Sequence, residues 1–445
     1  MRVSKFETTG LQQIAAWIER NNINRLNEKT LREALRTINI FFVAEGIDRV
    51  QSMLLCELKA SYVQQSQRYV TMDNEAFAAP ILKAEDNIKA ASLINKAYKL
   101  YEQMSELATL EVNGRPKKEN YLHKIPIEDA RYILPLCTKT NICVSMSGDK
   151  LYDLFYLFNS KKYEIVFKEF KKELGANLPF SLFNLFSSVS SDESNDVILE
   201  DLFLEDLEKI DALNNMKFLR AFGDLDLQVG LGALTSTQKK TPSQTLAIWG
   251  DEASIKAKEV SKRVLGYGHE SIAEQARTTF GMMCSLAAYH QQIRHRLPEI
   301  HREDLLNLIL DLDRPILVPK SIEQSIFHLE YLKLADEFKE FRLYVYEKYG
   351  AAKSLSFLVN CDQVKFIIST NARIDSIMLA ERTCMNSQWE IRDLATKKLN
   401  TLRTLSTTLY EKALPSCVTG KCKEGKLTCG KQAEVKVLFN KSDAP

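Results

Sequence analysis

One order of elements runs through this chain twice, and that repetition limits the fold more than any other feature. A motif-bearing helix, a long amphipathic helix, a strand and a closing helix succeed one another from Arg49 to Leu174, and again from Gly268 to about 413. In the first pass the long helix is expected at 82–112, with Ile88, Ala91, Ile94, Ala97, Leu100 and Tyr101 on one face. A strand at Asn141–Met146 and a helix at Asp149–Leu174 complete it. The second pass places its long helix at 322–348, its strand at Gln363–Ser369 and its last helix near 372–413. It opens on a glycine turn, Gly268-His269-Glu270-Ser271, then a strand at Gln275–Phe280 and a helix face of Met283, Leu286, Ala287 and Gln291. That helix ends in Arg294-His295-Arg296, and Pro298 stops it. Before the first pass, Leu11–Ile18 and Leu31–Ala44 read as helices, the second with Thr30 as N-cap. The pattern is an internal duplication. Residues 1–186 form the first repeat, 187–259 a linker and helical connection, and 260–445 the second repeat with a cysteine-bearing tail.

A chain of 445 residues exceeds one core and suits two domains. Its net charge of +2 argues against a large nucleic-acid footprint. No apolar run approaches a membrane span and no charged-then-apolar leader is seen, so no membrane partner is expected. Nine cysteines, mostly within apolar stretches, fit a reducing, cytoplasmic setting. Cys417, Cys422 and Cys429 cluster in the tail, but three thiols without a nearby histidine fall short of a tetrahedral set, so no metal site is read there. A basic turn at 113–118 and a Ser/Asp/Glu-rich linker at 187–196 punctuate the chain.

Gly-His-Glu-Ser, a strand, a helix and His290-Gln291-Gln292-Ile293-Arg294-His295-Arg296, in that order and spacing, resemble the flavin-dependent thymidylate synthases. The nucleotide segment that follows in that family is missing here after Arg296, but Ser61-Tyr62-Val63-Gln64-Gln65-Ser66-Gln67-Arg68-Tyr69 of the first repeat matches it. There the Arg-His-Arg positions read Cys56-Glu57-Leu58. Glu128-Asp129-Ala130-Arg131, leading to Leu134-Pro135, resembles a further family motif, whose place in the second repeat holds Leu355. Asn371-Ala372-Arg373, Glu381-Arg382 and Ser387–Arg392 complete the likeness in the second repeat; the first has Ser147-Gly148-Asp149 and Phe158 at the Asn-Ala-Arg and Arg382 positions. Each repeat keeps what the other lost, the pattern expected of one working site shared between two copies.

The resemblance implies an α+β, helix-rich fold in two tandem copies, each a sheet packed with long helices. It implies an enzyme, a methyltransferase that makes dTMP from dUMP by reductive methylation, with FAD as cofactor and with NADPH and methylenetetrahydrofolate as cosubstrates. A homodimer would imitate the four subunits of the family. Carried over residue by residue, Gln64, Ser66, Gln67, Arg68, Arg131, Gln291, Arg294 and Arg382 would bind dUMP, and Arg382 would act catalytically by polarising the uracil ring. His269, Ser271, Arg294, His295, Arg296, Asn371 and Arg373 would bind FAD. Arginine forks and hydroxyls suit a phosphate dianion and a pyrimidine edge. Gln64 and Val63 depart from the family's acidic residue and asparagine. That departure leaves open another pyrimidine nucleotide, methylated or hydroxymethylated, or a non-catalytic nucleotide- or flavin-binding relative.

Overall fold

The computed structural model describes residues 1–73, 75–109, 116–189 and 193–440. The turn read at 113–118 and the linker read at 187–196 lie partly outside these residues.

The chain opens with β1 (Arg2–Thr9), α1 (Leu11–Arg20) and α2 (Glu28–Leu35), then β2 (Asn39–Asp48), α3 (Arg49–Glu57), β3 (Ser61–Gln64) and the long α4 (Ala84–Met104). The short α5 (Ile127–Ala130) precedes β4 (Lys139–Ser147), α6 (Asp149–Asn159), α7 (Glu164–Gly175), α8 (Phe180–Ser187) and α9 (Glu193–Glu208). The second series runs β5 (Met216–Ala221), α10 (Leu225–Thr235), α11 (Pro242–Trp249), α12 (Ala253–Gly266), β6 (Arg277–Ser285), α13 (Leu286–Gln292) and β7 (Glu299–Arg302). After α14 (Leu305–Leu310) and α15 (Lys320–Glu323) come the long α16 (His328–Tyr349), α17 (Ala351–Ser354) and β8 (Gln363–Asn371). The chain closes with α18 (Ala372–Arg382), α19 (Trp389–Leu405), α20 (Ser416–Thr419) and α21 (Gln432–Asn440).

Two four-stranded sheets result, ordered β1-β2-β4-β3 and β5-β6-β8-β7. The strand order is the same in both, so the duplication is a property of the backbone as well as of the motifs. In the first sheet β4 pairs antiparallel with β2 from Ser147↔Asn39 to Lys139↔Asp48, and with β3 from Ser145↔Ser61 to Ile142↔Gln64. Alternation sends Ile142, Val144 and Met146 of β4 and Ile40, Phe42 and Ala44 of β2 inward. Aromatic rings from the following helices cover that face: Phe42 meets Phe170 at 6.1 Å, and Phe155 stacks on Phe186 at 5.0 Å. Gly10, at φ 83, makes the turn from β1 into α1, where a Cβ would also strike the Ile38 side chain.

Compactness does not divide the chain between the copies. One compact unit is Met1–Leu202 with Ser285–Arg294 and Asp304–Val364; the other is Phe203–Cys284 with His295–Glu303 and Lys365–Pro445. The first unit therefore contains α13 and α16 from the second repeat. Inside it, matching segments of the two repeats meet antiparallel, as about a local two-fold axis. Leu136 N–H donates to the Leu358 carbonyl at 2.7 Å, Asn360 N–H to the Leu134 carbonyl at 3.0 Å, and Pro135 bridges Val359. The long helices α4 and α16 are joined there too. Lys96 pairs with Glu337 at 2.6 Å, and the nearly buried Asp86 accepts from Lys348, Tyr344 and Tyr349.

Several sequence expectations are corrected. The helix expected at Leu31–Ala44 stops at Leu35, because Ile38, Ile40, Phe42 and Ala44 alternate inward as sheet residues. Asn27, not Thr30, caps α2, its side chain accepting the Thr30 N–H at 2.9 Å. The helices expected at Asp149–Leu174 and near 372–413 are each two helices with a break between. Met283 belongs to β6, not to a helix, and α13 ends at Gln292, so Arg294, His295 and Arg296 stand in the turn beyond it. The 187–259 segment, read as linker and helical connection, supplies the edge strand β5 and the helices α10 to α12, which hold the places of β1, α1 and α2. Its strand was hard to see because β5 is short and half exposed, with Lys217 and Arg220 within it.

Candidate active site

In the first unit α3 begins with a reciprocal cap. Asp48 accepts the Gln51 N–H at 2.7 Å, and the Gln51 side chain accepts the Asp48 N–H at 3.1 Å. The cap fixes the register of the helix, setting Arg49 in its first turn and Ser52 close behind, both buried. Ser285 caps α13 in the same manner, accepting the Ala288 N–H at 3.0 Å. The two motif helices thus bring Ser52 Oγ of the first repeat to 3.2 Å from His290 Nε2 of the second. Gln64, on β3, donates to Ser52 Oγ at 2.7 Å and to Thr140 Oγ1 at 3.2 Å. Ser52 Oγ, which accepts from Gln64, thus shares a hydrogen bond with His290 Nε2 whose direction follows the imidazole tautomer. Burial holds the imidazole well below its usual pKa, and the charges of Arg49, Arg294 and Arg131 push the same way. His290 is neutral at physiological pH.

Arg131 follows α5 and is 3% exposed. Its Nε donates to the Glu128 carbonyl at 3.1 Å, while its Nη2 is buried without a partner among the described residues. Asn360 Nδ2 holds the backbone at this point, donating to the Arg131 carbonyl at 3.0 Å and to Gln67 Oε1 at 3.4 Å. The Nε2 of the buried Gln67 has no partner among the described residues. Arg68 pairs with Glu128 at 2.7 Å, and its N–H donates to Ser66 Oγ at 3.2 Å, tightening the turn that carries both. Burial lowers the pKa of Arg131, and the Arg68 charge acts in the same direction against nearby Tyr132, Glu128 and Asp129. Arg49 is pulled down to about 9 by burial and by the charges of Arg131 and Arg294. It is still a cation at neutral pH.

The first unit therefore gathers Gln64, Ser66, Gln67, Arg68 and Arg131 from one repeat and His290 and Arg294 from the other. Gln291 is half-buried and turns its Nε2 back to the Ala287 carbonyl at 3.4 Å. Arg49, Ser52 and Asn360 were not among the residues expected from sequence. Arg49 opens α3, which also carries Gln51, Ser52 and Glu57, so no sequence pattern singles it out.

The second unit holds the remaining expected residues. Gly268, at φ 83, turns the chain out of α12, leaving His269 and Ser271 exposed. Arg373, in the first turn of α18, pairs with Glu274 at 2.5 Å. Asn371 caps that helix, accepting the Ile374 N–H at 2.9 Å. His295 Nε2 lies 3.9 Å from Glu381, Arg296 is exposed, and Arg382 is half-buried at the end of α18. A cleft here has an apolar floor of Leu265, Ala273 and Leu409 and a charged rim that includes Lys262, Glu270, Arg373 and Lys412. The rim carries both signs, since Glu411 also lines it, and of the residues expected to bind FAD only Arg373 is among the lining residues. Helix α18 is anchored by a buried network in which Lys398 donates to Asp375 at 2.7 Å and to Thr370 at 2.8 Å. Among the described residues no group of three or more His, Cys, Asp or Glu side chains is placed to hold a metal ion, and no helix is long and apolar enough to cross a membrane.

The family described as thymidylate synthase complementing protein matches this chain twice, over residues 3–166 and 227–406. A flavin-dependent thymidylate synthase of Geobacter sulfurreducens is 34% identical over 184 residues, covering 40% of this chain and 78% of the relative. A second enzyme of that name, from Clostridium tetani, is 29% identical over 209 residues, 42% of this chain and 83% of the relative. A third, from Thermococcus kodakarensis, is 32% identical over 178 residues, 37% and 72% respectively. The second match starts inside 187–259, in keeping with the helices α10 to α12 found there. Two matches, two sheets of one strand order and relatives that cover well under half of the chain agree: this protein belongs to the thymidylate synthase complementing protein family and carries its α+β fold as a tandem duplication.

Proposed function

We propose that this chain is a flavin-dependent thymidylate synthase, converting dUMP to dTMP by reductive methylation with FAD, NADPH and methylenetetrahydrofolate. The observation that carries the reading is the 3.2 Å contact, within one compact unit, between Ser52 of one repeat and His290 of the other, which sets the helix bearing Arg49 beside the helix that leads to Arg294. Cationic donors that would repel one another are gathered where an anion is to be received. Ser66, Gln67 and Arg68 would hold the phosphate and ribose side, with Arg131, Gln291 and Arg294 around the nucleotide. Arg382 would stabilise negative charge on the uracil ring, lowering its N3 pKa and activating C5. His269, Ser271, Arg294, His295, Arg296, Asn371 and Arg373 would hold FAD, which when bound supplies the reducing electrons. A homodimer would present the equivalent of four family subunits.

The test is direct. Purified protein is yellow, and NADPH oxidation rises on adding dUMP; colourless protein with no dUMP response overturns the reading. Arg294→Ala abolishes flavin binding. Arg68→Ala spares flavin and weakens dUMP binding about tenfold or more, the scale of one charge-assisted contact. Equal loss of flavin in both variants would refute the division of roles. One observation favours a second reading: Gln64 is a neutral donor to Ser52 and Thr140 where the resemblance calls for an acid. On that reading another pyrimidine nucleotide is methylated or hydroxymethylated, and it outcompetes dUMP when uracil and cytosine nucleotides are compared. Binding of nucleotide and flavin without turnover, with all cosubstrates present, would instead mark a non-catalytic relative.

A further inference from the structure

Arg49 is 5% exposed, yet its Nε has no partner, and no carboxylate pairs with its guanidinium among the described residues. Its backbone N–H is used, donating to the Leu136 carbonyl at 2.9 Å, so the helix is satisfied while the charge is not. Asp48, next to it in sequence, is spent on capping α3. The charged side chains acting on Arg49 include two further cations, Arg131 and Arg294. A fixed charge so largely withdrawn from water in such company is costly unless something of opposite sign completes it. Arg131 Nη2 and Gln67 Nε2 are likewise buried donors without acceptors. Counted back from the Arg-His-Arg positions, the second repeat carries Ala287 where the first carries Arg49, so the charge belongs to the repeat that keeps the nucleotide motif.

We propose that Arg49 is a further arginine of the nucleotide site, receiving a phosphate monoester dianion together with Arg131. The assignment rests on the nucleotide reading given above and names a residue that reading does not require. Neither guanidinium is in an ion pair among the described residues, Glu128 near Arg131 being paired with Arg68, and the planar forks of the two match the oxygens of a phosphomonoester dianion. Gln67 adds a neutral donor from the adjoining turn.

The experiment measures thermal melting of the protein without ligand, and calorimetric binding of dUMP, deoxyuridine and inorganic phosphate, for wild type, Arg49→Met and Arg49→Lys. Arg49→Met melts higher than wild type without ligand, since an uncompensated charge has been removed. It binds dUMP at least about tenfold more weakly and deoxyuridine unchanged, as loss of one charge-assisted contact predicts. Arg49→Lys falls between the two. An arginine with only a structural role does the reverse: its loss lowers the melting temperature and leaves the preference for dUMP over deoxyuridine intact, and that result overturns the proposal. If Arg49→Met does not fold, Arg49→Lys decides, because unchanged dUMP affinity in that variant also counts against the assignment. Should wild type bind inorganic phosphate in an Arg49-dependent way but not dUMP, the nucleotide reading fails and the anion role of Arg49 stands. Should wild type bind dUMP and Arg49→Met bind it equally well, the nucleotide reading stands and the role of Arg49 fails.

Discussion

Asp48 shows how a single cap can carry a pH dependence. Its carboxylate starts α3, yet burial pushes it up to about 7, with the N–H groups of Gln51 and Val50 opposing the shift. In the unfolded chain the group titrates near 4. Between these values the folded protein holds a proton that the unfolded chain has released, so stability is full below about pH 4 and is lost as pH rises through 7. The loss amounts to up to about 4 kcal/mol at roughly 1.4 kcal/mol per unit. Asparagine caps as well as aspartate but does not titrate. Urea unfolding of Asp48→Asn at pH 5 and pH 8 therefore gives a smaller drop than wild type; an identical drop would show that other groups set the slope. Arg49, one residue on, was illegible in sequence for a related reason. Whether an arginine is buried and unpaired depends on what tertiary structure brings to it, here Arg131 and a segment of the other repeat. Ser66 and Arg68 were legible because their spacing within one turn is local.

At the scale of elements, α18 and α19 are held by Lys398, Asp375 and Thr370, which are all buried. Burial lowers the lysine pKa while Asp375 raises it, and the bonds to Asp375 and Thr370 satisfy the charge. Removing one member leaves the other charged and alone. Lys398→Met should cost about 3–5 kcal/mol of stability, whereas Lys398→Met with Asp375→Leu costs much less. Denaturation of both variants checks this, and a double variant as unstable as the single one would mean the network is a packing element first. Elements were legible where one face alternates over a long run, as in β4, and lost where two periods overlap. The stretch Ile38–Ala44 satisfies both helical and strand spacing over a few residues, and only its pairing with β1 and β4 decides. The edge strand β5 gave no signal because an edge tolerates lysine and arginine.

For the whole molecule, duplication was legible from the order of motifs, but its consequence for compactness was not. Sequence places a boundary between repeats; the structure instead assigns α13 and α16 of the second repeat to the unit built on the first sheet. Pairing of equivalent segments about a local axis, Leu134–Leu136 with Leu358–Asn360, follows from symmetry between two copies and leaves no trace in either copy alone. A fragment of residues 1–202 should therefore be insoluble or molten, whereas coexpression with 203–445 restores soluble protein. A monomeric, cooperatively melting 1–202 fragment would contradict this.

The borrowing of α13 and α16 also sets a clock on biosynthesis. A ribosome emits the first sheet long before it has made residue 364, so the earliest-made unit waits, with its apolar seat open, until most of the polypeptide has left the exit tunnel. Maturation of the amino-terminal portion is thus tied to translation of the carboxy-terminal one, and a premature stop anywhere before Val364 would forfeit both.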